Sequence, residues 1–267
     1  MTVSADTSTL RVALVTGALG SAADAASIGR ALATGFARRG WDVALQRSPG
    51  TPLAAADALV AEVAALGRRA VVLDADLALE AEAAALVAAC GAALGRPACA
   101  VFVSASAGAD DAHTVDGASL AGALARNVTA PLALARALAD ATPDAAREHE
   151  ALRACAIHVL DQALFHPAPA QLSHALMQAA LNRATSALAL ALAPKVRVAA
   201  LVRGHAAHAD DIAAAACYLA SAPGVTGATL TVDGGEHLVP PARMNELRGS
   251  RGLTAAARAA LRVRTPI

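Results

Sequence analysis

The chain has 267 residues, the upper end for one α/β domain and ample to bury a large core. Hydrophobic residues make up 56% and charged residues 16%, which excludes global disorder, and the net charge of zero argues against a nucleic-acid partner. Aromatics are only 2%, so Ala, Val and Leu must fill the core.

Strand-like apolar runs fall at residues 11–16, 42–46, 70–73, 98–103, 155–160, 196–202 and 229–232. They lack the alternation of a sheet with one wet face, so a parallel sheet covered on both sides is expected. Between them, residues 28–39, 52–66, 80–94, 118–140, 171–192 and 210–220 carry helical spacing. The alternation predicts an α/β fold: a doubly wound, seven-stranded parallel sheet of the Rossmann type with helices on both faces. One domain is read over residues 1–236, followed by a tail or oligomer arm over 237–267. No apolar run approaches the roughly 18 to 20 residues of a spanning helix, and no secretory leader stands at the start, so a cytoplasmic location is expected. The four cysteines, Cys90, Cys99, Cys155 and Cys217, stand singly and read as buried hydrophobes. Metal binding is not expected, His205 and His208 having no third ligand in sequence. Tyr218, the sole tyrosine, reads as a core residue.

A doubly wound sheet binds ligand beyond the carboxyl ends of its strands, where the glycine-rich run Thr16-Gly17-Ala18-Leu19-Gly20 leads toward Ile28-Gly29-Arg30. With further matches in chain order, this run resembles the TGxxxGxG turn of the short-chain dehydrogenases/reductases. The matches are Asp74-Ala75-Asp76-Leu77, Asn127-Val128-Thr129, Val196-Arg197-Val198 with Gly204, and Val232-Asp233-Gly234-Gly235. The pattern is most similar to the pteridine reductase and dihydromonapterin reductase branch, because Gln46-Arg47-Ser48 resembles its HxRS segment. What the resemblance implies is a dinucleotide site of the NADP(H) type, NAD being less expected. Gly17, Gly20, Ile28, Gly29, Arg47, Ser48, Asp76, Leu77, Ser104 and Gly204 are its candidate cofactor residues, and Arg47 and Ser48 would take the 2′-phosphate.

The resemblance also implies a catalytic Asn, here Asn127, and an Asp–Tyr–Lys set. Asp161 occupies the first position of that set, but thirteen residues on stands His174, and four beyond that Gln178. A neutral Gln supplies no Coulomb help to a proton donor, whereas His titrates near neutrality. Other departures point the same way. About six extra residues lie in the glycine-rich turn, and residues 204–209 leave no room for a substrate-covering segment of about two dozen residues. Ser104-Ala105-Ser106-Ala107-Gly108 replaces an amide-rich loop. The expectation is a nucleotide- or partner-binding relative with impaired or absent hydride transfer, a pseudoenzyme that forms a homotetramer or dimer through helix 171–192, with a paralogous subunit as another partner. The alternative is an active NADPH-dependent oxidoreductase of pteridine-like or carbonyl substrates, with an altered site.

Overall fold

The computed structural model describes residues 11–19, 23–105, 108–205 and 207–238, and for residues 18 and 23–26 the backbone alone. The candidate residue Gly20 and the tail from 239 onward lie outside the described residues.

Seven strands, β1 (Val12–Leu19), β2 (Asp42–Arg47), β3 (Ala70–Asp74), β4 (Cys99–Val103), β5 (Ala154–Asp161), β6 (Val196–Arg203) and β7 (Thr229–Val232), form one parallel sheet in the order β3-β2-β1-β4-β5-β6-β7. The expected architecture is the observed one. The strand order reverses direction between β1 and β4, which opens a crevice at their carboxyl ends.

Side-chain alternation feeds two cores from the same strands. Ala13, Val15, Cys155, Ile157 and Val159 face α1 (Ala23–Arg38), α2 (Leu53–Ala65) and α7 (Ala209–Ser221). Val12, Leu14, Ala154, Ala156 and Leu160 face α3 (Glu80–Ala93), α5 (Ala130–Ala141) and α6 (Leu172–Leu192). Leu14, Leu45, Ile157 and Leu201 are fully buried, and truncating any one of them to Ala costs about 2–5 kcal/mol. The two edge strands are less covered: β3 is half-buried, and Thr229 and Leu230 of β7 are exposed.

Three local departures matter for the site. First, β1 does not turn after Thr16 but continues past a register shift until Leu19 pairs with Arg47. Second, α1 begins at Ala23, so the extra residues of the glycine-rich segment are absorbed as added strand and added helix, and Ile28 and Gly29 stand inside α1. Third, the predicted helix 118–140 is interrupted. A short α4 (Gly117–Leu124), capped by Asp116 and Ser119, passes through a π-helical turn at Ala125–Thr129 before α5. All four cysteines are buried thiols. Tyr218, expected in the core, is 59% exposed, because α7 turns Ile212, Ala213, Ala216, Cys217 and Leu219 inward. No helix among the described residues is long and apolar enough to cross a membrane.

Candidate active site at the carboxyl ends of the strands

Gly17 closes the crevice floor. Its φ of +72° is one that residues with a side chain rarely adopt, and a Cβ there would run into the Val103 carbonyl oxygen. Its amide donates to Gln46 Oε1 at 2.9 Å, and Gln46 in turn donates to Ala75 O and to Ser48 Oγ. The buried glutamine therefore ties β1 to the ends of β2 and β3.

Arg47 lies opposite Asp74 in the β2–β3 register and grips it in a fork, Nε to Oδ1 at 2.7 Å and Nη2 to Oδ2 at 2.6 Å, while Nη1 donates to Thr51 O. Each charge moves the other's pKa in the expected sense: the bond to Asp74 raises that of Arg47, and the bond to Arg47 lowers that of Asp74. Asp74 is largely exposed, so water and salt screen the pair and it adds little to stability. This partner is missing from the sequence reading, although opposite charges closing two successive parallel strands are a readable signal. Asp76 accepts from Ala78 N in the loop after β3, and Leu77 is buried beneath it.

At the other side of the crevice, four elements bring Ser104, Asn127, Asp161, His174 and Gln178 into one network. His174, on the first turn of α6, places Nε2 2.7 Å from Asp161 Oδ2, while Asp161 Oδ1 accepts from Ala163 N. Arg203 Nη2 lies 3.9 Å from the same carboxylate. Burial pushes the Asp161 pKa upward, but the hydrogen bond and charge of His174, with Arg203 behind them, hold it below the ordinary carboxylate value. One turn along α6, Gln178 is fully buried; its Oε1 accepts from Asp161 N at 3.2 Å and its Nε2 donates to Ser104 Oγ at 3.1 Å. Asn127 sits in the π-helical turn, where the wider coil lets Nδ2 donate to Ala123 O while Oδ1 accepts from Ala105 N at 2.9 Å. The carboxamides of Asn127 and Gln178 thus brace the loop after β4 from two directions. Asp110, also buried, fastens the far end of that loop to α6 by accepting from Ser173 N.

A second polar cluster, absent from the sequence reading, folds over the end of β6. Residues 233–238 close on Gly204, whose missing Cβ would lie 2.6 Å from Asp233 Cβ and 2.8 Å from Glu236 Oε2. Asp233 accepts from Gly235 N, His237 N, His237 Nδ1 and Gln162 Nε2. These donors outweigh the cost of desolvation and take its pKa down to about 2. His205 is fixed by Glu236 through its amide and its ring. The opposite face of Gln162 leaves Oε1 buried with no partner among the described residues. The Asp233-Gly234-Gly235 triplet is the signal in the sequence, and Gly234 and Gly235 take the positive φ values that let such a turn fold the chain back onto the sheet. Among the described residues no group of three His, Cys, Asp or Glu side chains is placed to hold a metal ion.

The family model described as enoyl-(acyl carrier protein) reductase matches residues 22–205. The chain belongs to the short-chain dehydrogenase/reductase family. Solved structures agree. This family member is 26% identical to the FolM alternative dihydrofolate reductase 1 of Brucella suis in complex with NADP (TM-score 0.73), covering 86% of this chain and 96% of that one. The Brucella canis protein, also with NADP, is 24% identical with the same TM-score and coverage. Acetoin dehydrogenase from Enterobacter cloacae is 20% identical with a TM-score of 0.77, covering 88% and 98%. No curated protein matches the chain.

Proposed function

We propose that this short-chain dehydrogenase/reductase binds an NADP(H)-type dinucleotide at the β1–β4 crevice without ordinary hydride transfer, as a nucleotide- or partner-binding homologue. The observation that carries this reading is the His174–Asp161 bond at 2.7 Å. The ring proton that would serve a substrate is given to the half-buried Asp161 carboxylate, and Gln178, turned to Ser104 and Asp161 N, brings no positive charge to the site.

The residues fit the dinucleotide in kind. Gly17 and the N-terminus of α1 flank the place for a pyrophosphate, and Arg47 and Ser48 close β2 where a 2′-phosphate is held in related folds. Arg47 is engaged by Asp74, but an exposed carboxylate is a weak competitor for a bidentate guanidinium against a phosphate dianion. The NADP complexes of the two Brucella proteins support the same cofactor class. A bound nicotinamide supplies hydride chemistry. What this chain's own residues contribute beside it is orientation: Asn127 and Ser104 hold the β4 loop, and Asp161 holds the imidazole.

The carboxylate-oriented imidazole itself favours a second reading, an active reductase of pteridine-like or carbonyl substrates in which His174 donates the proton, its ring held by Asp161. Calorimetric titration with NADP⁺ and NAD⁺, paired with NADPH oxidation assays on dihydropterin and diketone substrates, separates the two. Binding that prefers NADP⁺, weakens in Arg47→Ala and gives no oxidation above background supports the first reading. Turnover that disappears in His174→Ala overturns it in favour of the second.

A further inference from the structure

A cavity of about 360 Å³ opens at the opposite end of the sheet, among the amino ends of the strands. Arg11 precedes β1, Trp41 precedes β2, Arg153 precedes β5, Arg197 is the second residue of β6, and Arg96 comes from the loop before β4; all five line it. Among the described residues, the single carboxylate in its wall is Glu150, 3.9 Å from Arg153. Among the described residues, four guanidiniums thus face one carboxylate, in a chain whose net charge is zero.

Elsewhere arginines meet carboxylates directly: Arg30 with Glu62, Arg47 with Asp74, Arg68 and Arg69 with Asp42, Arg136 with Glu80. Here the fixing partners are neutral carbonyls. Arg197 donates to Leu219 O, Ala220 O and Val225 O, Arg96 to Leu152 O, and Arg153 to Ala146 O and Arg147 O. Such bonds orient the guanidiniums without cancelling their charge. The end of α7 adds only about half an elementary negative charge, too little to balance the excess. Arg96 is partly buried, and its desolvation lowers its pKa. Arg11 lies over the Trp41 ring, 5.5 Å from its centroid, so the aromatic carries a cation and not a ligand ring.

We propose that this cavity is a binding site for a small polyanion carrying phosphate or carboxylate groups. Pre-oriented guanidinium forks match such oxyanions in shape and charge, and the volume is that of a small-ligand site. The site lies across the sheet from the dinucleotide crevice and does not depend on what that crevice binds.

Trp41 is the only tryptophan, so its emission reports the cavity directly. The full chain is titrated with inorganic pyrophosphate and with citrate at matched ionic strength. A saturable emission change with half-saturation below about 1 mM is expected for at least one of them. Saturation by pyrophosphate alone assigns phosphate chemistry, by citrate alone carboxylate chemistry, and by both a general polyanion site. The Arg11→Gln/Arg96→Gln variant should bind at least tenfold more weakly with an unchanged far-ultraviolet dichroism spectrum, while Arg30→Gln, on a different surface, keeps wild-type affinity. Should the double variant fail to fold, Arg11→Gln alone serves, because that side chain is exposed. No saturation by either anion, or equal affinity in the folded cavity variant, overturns the proposal.

Discussion

His158 offers a quantitative test of how the second core is built. It sits in the middle of β5 between Phe102 and Ala200, fully buried, and donates through Nδ1 to Thr185 Oγ1 at 2.8 Å, while the threonine hydroxyl is given to Leu181 O. With its surroundings otherwise apolar, burial lowers its pKa to about 4 from the ordinary value of 6.5. The unfolded chain therefore binds a proton that the native one refuses between those two values, and stability falls as pH falls through that window. A 2.5-unit difference is worth about 3 kcal/mol in full, of which about 2 kcal/mol is lost between pH 7.5 and pH 5. Asp161 and Asp233, whose folded pKa values are depressed, lose their contributions only below the unfolded carboxylate range near 3.8, so they do not overlap this window. Urea unfolding at half-unit pH steps should show the loss in the wild type and not in His158→Leu, where the Thr185 hydroxyl keeps its bond to Leu181 O. Identical slopes for the two proteins between pH 6.5 and pH 5 would refute the reasoning.

Gly17→Ala combines a disfavoured positive φ with a Cβ that runs into the Val103 carbonyl, and should lower stability by about 3 kcal/mol or more; a thermal midpoint shift under about 2 °C would contradict this. His174→Ala leaves the Asp161 carboxylate without its imidazole donor and should cost about 1–3 kcal/mol in denaturant unfolding, more at pH 7 than at pH 3.5, where the carboxylate is partly protonated in the unfolded chain. Self-association through α6 is expected from light scattering, and Leu190→Asp, at a site 85% exposed on the last turn of that helix, should shift the dimer or tetramer to monomer; an unchanged mass places the contact elsewhere.

Strand count, layer order and most element positions were legible because a parallel sheet buried on both faces writes its strands as unbroken Val, Ala and Leu runs. The ends were not. Thr16 was read as the last residue of β1, yet Gly17 accepts the conformation that carries the strand on to Leu19, a backbone property that hydropathy does not encode. The interruption of helix 118–140 was hidden for a similar reason: Arg126-Asn127-Val128 has ordinary helical polarity, and only the demand of Ala105 N on the Asn127 amide marks the wider turn. Within the site, the proximity of Asp161, His174 and Gln178 follows from strand-to-helix spacing. The roles of Ser104 as acceptor for Gln178 and of Asp233 as a hub for four donors do not, since both join segments more than 70 residues apart. Tyr218 shows the limit of composition: a rare aromatic in an apolar helix was placed inward, where small residues already fill the contact with α1.

Helix α6 is a single uninterrupted element of 21 residues, about 30 Å from end to end. Its first two turns hold His174 and Gln178 against Asp161 and Ser104, while Leu190 near its far end faces solvent. Treated as a rigid rod pivoting at its centre, a tilt of about 5° moves each tip by more than 1 Å. That displacement is enough to part a 2.7 Å hydrogen bond, so a contact at the outer tip that tilted the helix would reach the imidazole without any intervening side chain having to change rotamer.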